Sequence, residues 1–201
     1  MKKTILALAC VMFCGVAVAG PATFVEIALI DGGENGRNGS GDGGGFEATG
    51  DVGLGDHWYV GGILGKFNRD FSNGDVDNTY FNAHGGYLFP VAEKTGVTLE
   101  AGLWYGQQEV TNQDDTNPTA FELKAGVSQA ISEKFGIFGT LAWVTGDLDT
   151  DNNSNLRNYE WSLGGVYNIS KRVALNLKVV NGVNGVNGQD QVLRLGARWT
   201  F

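Results

Sequence analysis

The sequence predicts an all-β protein: a single antiparallel up-and-down transmembrane β-barrel of ten strands, with eight strands as the alternative. Three observations lead to this fold class. Runs of about ten residues alternate apolar and polar side chains, so each run would form a strand with one apolar face. Long polar segments alternate with short turns between the runs. Aromatic residues gather near both ends of the runs.

Residues 1–19 have the pattern of a cleaved secretory signal. Two lysines precede an apolar run, and an Ala-Val-Ala cleavage site stands directly before Gly20. An N-terminal membrane helix is the alternative, but the apolar run is short for one. Cleavage would leave residues 20–201 as one β-barrel domain, with 14 − 2 = 12 basic against 22 acidic side chains. This acidic balance disfavours nucleic acid as a partner.

Ten runs are predicted as strands. In eight of them the apolar residues stand at alternate positions, all odd or all even, and so lie on one face of the strand. In the third and seventh they do not, so which face of these two strands points outward stays open. A soluble sandwich or lipocalin-like barrel, with the apolar face inward, is the alternative, although it needs no regular alternation of long and short connections. The runs cover residues 22–30, 45–54, 58–67, 79–89, 97–107, 120–131, 136–144, 158–169, 173–180 and 191–201.

The connections differ in length on the two sides of the predicted barrel. Short turns fall at residues 55–56, 90–96, 132–134 and 170–172. Such asymmetry is typical of transmembrane barrels, which have short periplasmic turns and longer outer loops. The predicted long loops are the polar segments 31–44, 69–78, 111–119, 146–157 and 181–190.

Aromatic residues predict two bands of rings, one for each membrane interface. The band near the turns contains Phe24, Trp58, Tyr59, Tyr87, Phe89, Phe135, Phe138, Tyr167, Trp199 and Phe201. The band near the loops contains Phe46, Phe67, Phe71, Tyr80, Phe81, Trp104, Tyr105, Phe121, Trp143, Tyr159 and Trp161.

Charged residues within the runs are predicted to point into the barrel, because a basic side chain facing lipid near the midplane costs about 2–4 kcal/mol. Their near balance predicts an interior cross-linked by ion pairs. Ten strands lie close to the size at which side chains fill a barrel, so a wide porin is disfavoured and a narrow pore stays open. The inward charges are Glu26, Glu47, Asp51, Glu100, Glu122 and Glu160 against Lys66, Lys124, Lys178, Arg194 and Arg198.

The sequence predicts no enzyme. His57 lies at a short turn, on the wrong side for surface hydrolysis, and His84 lies in mid-strand facing inward among carboxylates. We interpret His84 as a hydrogen-bonded interior residue rather than a catalytic base. The sequence contains no G-x-S-x-G, H-E-x-x-H or P-loop motif.

No cofactor or metal is predicted. Both cysteines lie inside the signal, so the mature chain would hold no thiol ligand. The pattern nearest to a Ca²⁺ loop is formed by Asp147, Asp149 and Asp151, but Asn152 stands where an EF-hand needs Gly, and Asn158 where it needs Glu. We interpret this segment as a solvated acidic loop.

The last eleven residues, QVLRLGARWTF, have one apolar face that includes Trp199 and ends at Phe201. This stretch resembles the C-terminal strand of bacterial outer-membrane β-barrels. With strands such as VTLEAGLWYG and VALNLKVV, the whole chain resembles small Gram-negative outer-membrane β-barrel proteins of the opacity-protein and OmpA/OmpX-like type.

That resemblance implies an integral outer-membrane protein at the cell surface, expected to be a monomer. It implies contact with membrane lipid and lipopolysaccharide, and with the barrel-assembly machinery through the C-terminal strand. It also implies a role in surface interaction or envelope integrity. A porin-like narrow diffusion channel or small-ligand transporter is the alternative.

Overall fold

Ten strands pair antiparallel with their sequence neighbours to form a closed barrel in this computed structural model. The predicted fold class and the count of ten strands, rather than eight, are confirmed. The structure describes residues 21–36, 39–71, 74–111, 115–147, 155–184 and 188–201; the predicted signal lies outside them. Within these ranges no helix is long and apolar enough to cross a membrane. The strands are β1 Phe24–Gly36, β2 Gly39–Leu54, β3 Trp58–Phe71, β4 Gly74–Ala92, β5 Thr95–Val110, β6 Thr119–Ala130, β7 Phe135–Asp147, β8 Asn155–Asn168, β9 Val173–Asn184 and β10 Gly188–Thr200.

The first and last strands close the barrel. Phe24 of β1 lies opposite Thr200 of β10, and the backbone N–H of Phe201 donates to the carbonyl of Thr23 at 3.0 Å. The shear of the barrel follows from its register. If we start at Phe24 and step from each residue to the one opposite it on the next strand, we return to β1 at Gly36, so the shear is 36 − 24 = 12 residues. For ten strands this shear gives a tilt of about 40° and a radius of about 10 Å.

Two of the short turns are built alike because their sequences are alike, ISEKF and ISKRV. In the first, the hydroxyl of Ser132 accepts the backbone N–H of Phe135 at 3.1 Å. In the second, the hydroxyl of Ser170 accepts the backbone N–H of Val173 at 3.1 Å. Serine side chains often close turns in this way. The short turn before β3 uses Gly55 with a positive φ of 72°, which glycine adopts without strain.

Three of the five predicted outer loops, 31–44, 69–78 and 181–190, are mostly strand, which corrects the prediction for them. β1 and β2 remain paired as far as Gly36 and Gly39, and β3 and β4 as far as Phe71 and Gly74. Much of the predicted loop 181–190 likewise belongs to β9 and β10. Backbone pairing needs no apolar side chains, so the polar hairpins continue the sheet beyond the apolar band.

The outer face of the barrel is apolar. Val25, Ile27, Leu99, Leu163 and Leu195 are each about half exposed, while their strand neighbours on the other parity are turned inward. A soluble sandwich or lipocalin-like barrel would show the reverse. An exposed band of this extent is what lipid contact requires of a closed barrel.

The structure settles the two strands whose facing was left open. In β3, Val60 and Leu64 point outward, while Tyr59, Ile63 and Phe67 point inward. In β7, Ile137 and Leu141 are exposed, whereas Phe138 and Ala142 are buried. Both strands place apolar side chains on both faces, and for this reason their parity was unreadable from the sequence.

Lys66 does not belong to the interior, as the sequence analysis had expected. It shares the outward parity of Leu64 in β3 and forms an ion pair with Asp77 at 2.9 Å near the loop end. The Lys66 side chain keeps 40% of its surface exposed and is neutralised by the carboxylate of Asp77. Its predicted inward position is therefore wrong.

The two aromatic bands on the outer face contain fewer rings than predicted. Seven rings near the turns and seven near the loops lie on the outward parity, including Trp58 and Trp199 at one end and Phe46 and Tyr159 at the other. Six rings assigned to the bands instead lie on the inward parity: Phe24, Tyr59, Phe67, Tyr80, Trp104 and Phe138. The side chain of Phe71 is outside the described set.

Candidate functional site

The interior of the barrel holds the polar groups on which function must depend. At its middle, the ammonium group of Lys124 pairs with Glu100 and, at 3.1 Å, with Glu122. The hydroxyl of Tyr59 donates to Glu100 at 3.0 Å, and the indole N–H of Trp104 donates to Glu122 at 3.0 Å. Each carboxylate therefore has one cationic and one neutral donor, an arrangement that offsets the cost of burying charge.

A second cluster lies on the opposite wall. The carboxylate of Glu47 accepts a hydrogen bond from the guanidinium of Arg194 at 3.1 Å and another from the hydroxyl of Tyr80 at 2.9 Å. Glu47 is fully buried, whereas the Arg194 side chain keeps 17% of its surface exposed. Arg194 therefore connects the buried carboxylate to the space above it.

A third pair lies close to the turns. Nε of Arg198 donates to Glu26 at 2.9 Å, and the guanidinium carbon lies 4.1 Å from the centre of the Phe24 ring. This packing combines an ion pair with a cation–π contact. Both charged side chains are almost completely buried.

His84 is held by two oxygens. Its Nε2 lies 2.9 Å from a carboxylate oxygen of Asp51, and its Nδ1 lies 2.7 Å from the side-chain oxygen of Asn82. The histidine is buried, as are both partners. The interpretation of His84 as a hydrogen-bonded interior residue is confirmed, and Asp51 has this histidine as its partner.

Two predicted members of the charge network stand apart from it. Glu160 and Lys178 point inward, but neither forms a hydrogen bond or an ion pair with another residue in the described part of the chain. The other eight predicted interior charges are joined in separate groups: Glu26 with Arg198, Glu47 with Arg194, Asp51 with His84, and Glu100 and Glu122 with Lys124.

We call these paired groups and the side chains packed around them the interior plug. Glu26, Glu47, Asp51 and Glu100 are each no more than 5% exposed. A pore wide enough for water would leave such groups accessible along its wall. The middle of the barrel is therefore filled with side chains, as expected for a barrel of this size.

A cavity lies on either side of the plug. The outer cavity has a volume of about 330 Å³ and is lined by Phe67, Tyr80, Trp104, Glu160 and Arg194 among others. The cavity at the turn end measures about 490 Å³ and is bordered by basic side chains with one acid: Lys134, Lys171, Arg172, Arg198 and Glu133. The two cavities share no lining residue.

Tyr59 and Tyr80 have interior roles that were not predicted, because both rings were expected in the outer bands. A parity count could have found Tyr80, because Phe81 beside it was correctly assigned outward. No such signal existed for Tyr59, whose strand carries apolar side chains on both faces.

The predicted acidic loop is only partly within the described residues. Asp147 ends β7 opposite Asn155, whereas Asp149 and Asp151 lie outside. No group of three or more His, Cys, Asp or Glu side chains suited to a metal occurs among the residues that are described. The interpretation of this segment as a solvated acidic loop stays a prediction.

Solved structures of three outer-membrane proteins resemble this barrel. The β domain of the Bordetella autotransporter BrkA is 12% identical with a TM-score of 0.62, and the match covers 90% of this chain and 100% of that one. The translocator domain of NalP from Neisseria meningitidis is 12% identical with a TM-score of 0.56, and the match covers 93% of this chain and 91% of that one. An outer membrane channel from Pseudomonas putida F1 is 10% identical with a TM-score of 0.57, and the match covers 95% of this chain and 100% of that one.

No protein-family model matches the chain, and no curated protein matches its sequence. At 10–12% identity, the likeness to the three solved structures concerns the fold alone. That fold is the outer-membrane β-barrel.

Proposed function

We propose that this chain is an integral protein of the Gram-negative outer membrane whose interior is closed to diffusion and whose work is done by its outer surface. The single observation that carries the proposal is the buried interior plug, centred on the pairing of Lys124 with Glu100 and Glu122. A diffusion channel needs a continuous hydrated path, and these buried groups occupy it. The role is non-enzymatic, in surface interaction or envelope integrity.

The strand lengths support a surface role. A tilted strand crosses the bilayer in about 9–11 residues, but β4 contains 19 and β5 contains 16. The turns at the other end are short, so the additional strand residues extend beyond the membrane on the loop side. The paired hairpins therefore project a polar surface beyond the membrane, where recognition is usually located.

This projecting surface is tied together by hydrogen bonds. The backbone N–H of Thr111 donates to Asp75 at 3.0 Å, and the amide of Gln108 donates to the side chain of Asn78 at 3.0 Å. The backbones of Gln108 and Thr116 exchange two further hydrogen bonds. A preorganised surface of this kind loses little conformational entropy on binding.

Several parts of the proposal come from the sequence. They are cleavage of the signal at 1–19, insertion through the barrel-assembly machinery by way of the strand ending at Trp199 and Phe201, contact with lipopolysaccharide, and a monomeric state. Kinship with the opacity-protein or OmpA/OmpX-like type belongs to the same set.

Conductance in planar lipid bilayers tests whether the barrel is closed. We expect no stepwise conductance from the wild type, and steps from the double variant E100A/K124A, which removes the central pair. Both proteins are first checked for the gel-mobility difference between boiled and unboiled samples that marks a folded barrel. Uniform steps from the wild type would instead establish the narrow channel, which is the alternative function.

Deletion of residues 69–76 tests the surface role, because it shortens the β3/β4 hairpin while leaving the membrane-spanning part unchanged. Cells that display the shortened protein should adhere less to surfaces coated with lipopolysaccharide than cells displaying the wild type at equal abundance. Equal adherence would contradict a role for this hairpin.

A further inference from the structure

The outer cavity has two kinds of wall. One side carries the rings of Phe67, Tyr80 and Trp104 on β3, β4 and β5, together with polar side chains of the same strands: Arg69, Asn78 and Gln108. The rings of Tyr80 and Trp104 have centroids 5.7 Å apart and planes inclined at 52°, so they form an open corner rather than a stack. Rings arranged in this way leave faces free for an apolar surface of a ligand.

The other side of the cavity carries polar atoms without partners. The side-chain oxygen of Asn158 and Nε of Arg194 are buried and form no hydrogen bond. The carboxylate of Glu160 lines the same space and makes no hydrogen bond or ion pair with another described residue. Buried polar atoms of native proteins normally have partners, so one buried acceptor and one buried donor beside one cavity, with the carboxylate of Glu160 next to them, call for an occupant.

The interior plug below the cavity explains why these polar groups remain available to a ligand. Arg194 gives one arm of its guanidinium to Glu47, which leaves Nε turned away from that pair. Glu160 and Asn158 lie two residues apart on the same face of β8. Gly182 lies directly opposite Glu160, so no side chain of β9 covers the carboxylate at that position.

We propose that the outer cavity is a binding site for a neutral sugar ring. Hydroxyl groups donate to the carboxylate of Glu160 and to the oxygen of Asn158, and they accept from Nε of Arg194. The C–H face of the ring packs against Trp104 and Tyr80. A cavity of about 330 Å³ is at the small end of the range for small-molecule sites, which suits one or two sugar units.

The charges around the cavity favour a neutral ligand. Glu160 lies in the field of Arg194 and Lys178, and Arg69 also lines the cavity, so its wall carries charges of both signs. An anion would approach the carboxylate of Glu160, and a cation would approach Arg194. Either ion would therefore meet a like charge in a partly desolvated space, whereas neutral hydroxyl groups can contact both side chains.

The sugar site goes beyond the proposed function, and an experiment can contradict either one without contradicting the other. Sugar binding needs only the outer cavity, whereas closure depends on the plug beneath it. A barrel that conducts would still present this cavity at its mouth. A closed barrel that binds no sugar would leave the proposed function standing and would overturn only the site.

Saturation-transfer NMR on the full mature barrel tests the proposal. The detergent is dodecylphosphocholine, because glycosidic detergents would themselves compete. The probes are the methyl glycosides of glucose, galactose, mannose and fucose, each offered alone, together with maltotriose. We expect transfer to at least one methyl glycoside, with the strongest signals on the protons of the apolar face of the ring. Transfer only to the end unit of maltotriose would also support the site and would identify its source as the end of a longer glycan.

Three variants show where binding occurs. Glu160→Gln and Trp104→Leu should each weaken the affinity tenfold or more, whereas Trp161→Phe, a ring on the lipid-facing side, should leave it within twofold. All variants are compared after the same gel-mobility check. The proposal is overturned if no probe shows transfer above a protein-free micelle sample, or if the three variants bind equally well. Stronger binding of acetate or glycine betaine than of any sugar would also overturn it.

Discussion

Arg198 and Glu26 lie directly opposite each other across the seam at which the last strand meets the first, and their ion pair is 2.9 Å long. They are 172 residues apart in sequence. The pair forms only when the barrel closes, so it stabilises the closed state and none of the open intermediates. Both side chains are almost fully buried, and a charge left without its partner at this position would be costly.

Replacing Arg198 with Met should therefore destabilise the barrel by about 3–5 kcal/mol, since Glu26 would remain buried and unpaired. Urea unfolding in lipid vesicles, followed by gel mobility of unboiled samples, measures the change. The double variant E26Q/R198M is the matched control and should recover most of the loss. A single variant as stable as the wild type would mean that water reaches this seam.

Lys124, the cation at the middle of the barrel, is expected to contribute as much to stability as Arg198. Lys124→Met leaves Glu100 and Glu122 facing each other without the ammonium group between them, so we expect a loss of about 3–5 kcal/mol. Adding Glu100→Gln removes the like-charge repulsion and should restore part of the loss. The same urea titration measures both, and no difference between the single and double variants would contradict direct coupling of these groups.

Three inward rings each lie opposite a glycine on the neighbouring strand: Tyr59 opposite Gly86, Tyr80 opposite Gly65, and Phe138 opposite Gly164. A Cβ at Gly86 would collide with the Tyr59 ring, which donates to Glu100. Gly86→Ala should therefore cost about 1–3 kcal/mol of stability, the usual range for overpacking.

Gly85→Ala is the matched control for that variant. The new Cβ would point outward and meet its nearest atom at 3.5 Å, an ordinary contact. Its urea midpoint should stay close to that of the wild type. Equal losses from both alanines would attribute the effect to the strand backbone rather than to the ring.

The depth of the apolar band can be measured with lysine substitutions. Leu163 lies on the outward parity in the middle part of β8, whereas Ile169 lies at the turn end, and both are more than half exposed. Leu163→Lys should cost about 2–4 kcal/mol and Ile169→Lys about 0–1 kcal/mol, because the penalty falls towards the interface. Folding titrations in phospholipid vesicles give both values. A reversed order would overturn the membrane position inferred for this face.

Alternation along single strands was enough to predict much of this protein. In β2, β5, β6 and β8, the period of two placed Glu47, Glu100, Glu122 and Glu160 on the inner face, and the structure has them there. The ten strands and the places of the short turns were also within reach, because both are local signals. The turn predicted at 90–96 is wrong in its length, because β4 continues to Ala92 and β5 begins at Thr95. Where both faces of a strand are apolar, as in β3, the local signal disappears, and the error over Lys66 followed from that.

The partners of the inward charges were not predictable, because they depend on register and closure. Sequence alone determined that Arg194, Arg198 and Lys124 point inward. Only the tertiary structure decided that these cations join Glu47, Glu26 and the pair Glu100 and Glu122, and that Glu160 is left facing a cavity. The physical reason is that facing is a property of one strand with a period of two, whereas pairing needs the shear of the whole closed barrel to bring distant strands to one height.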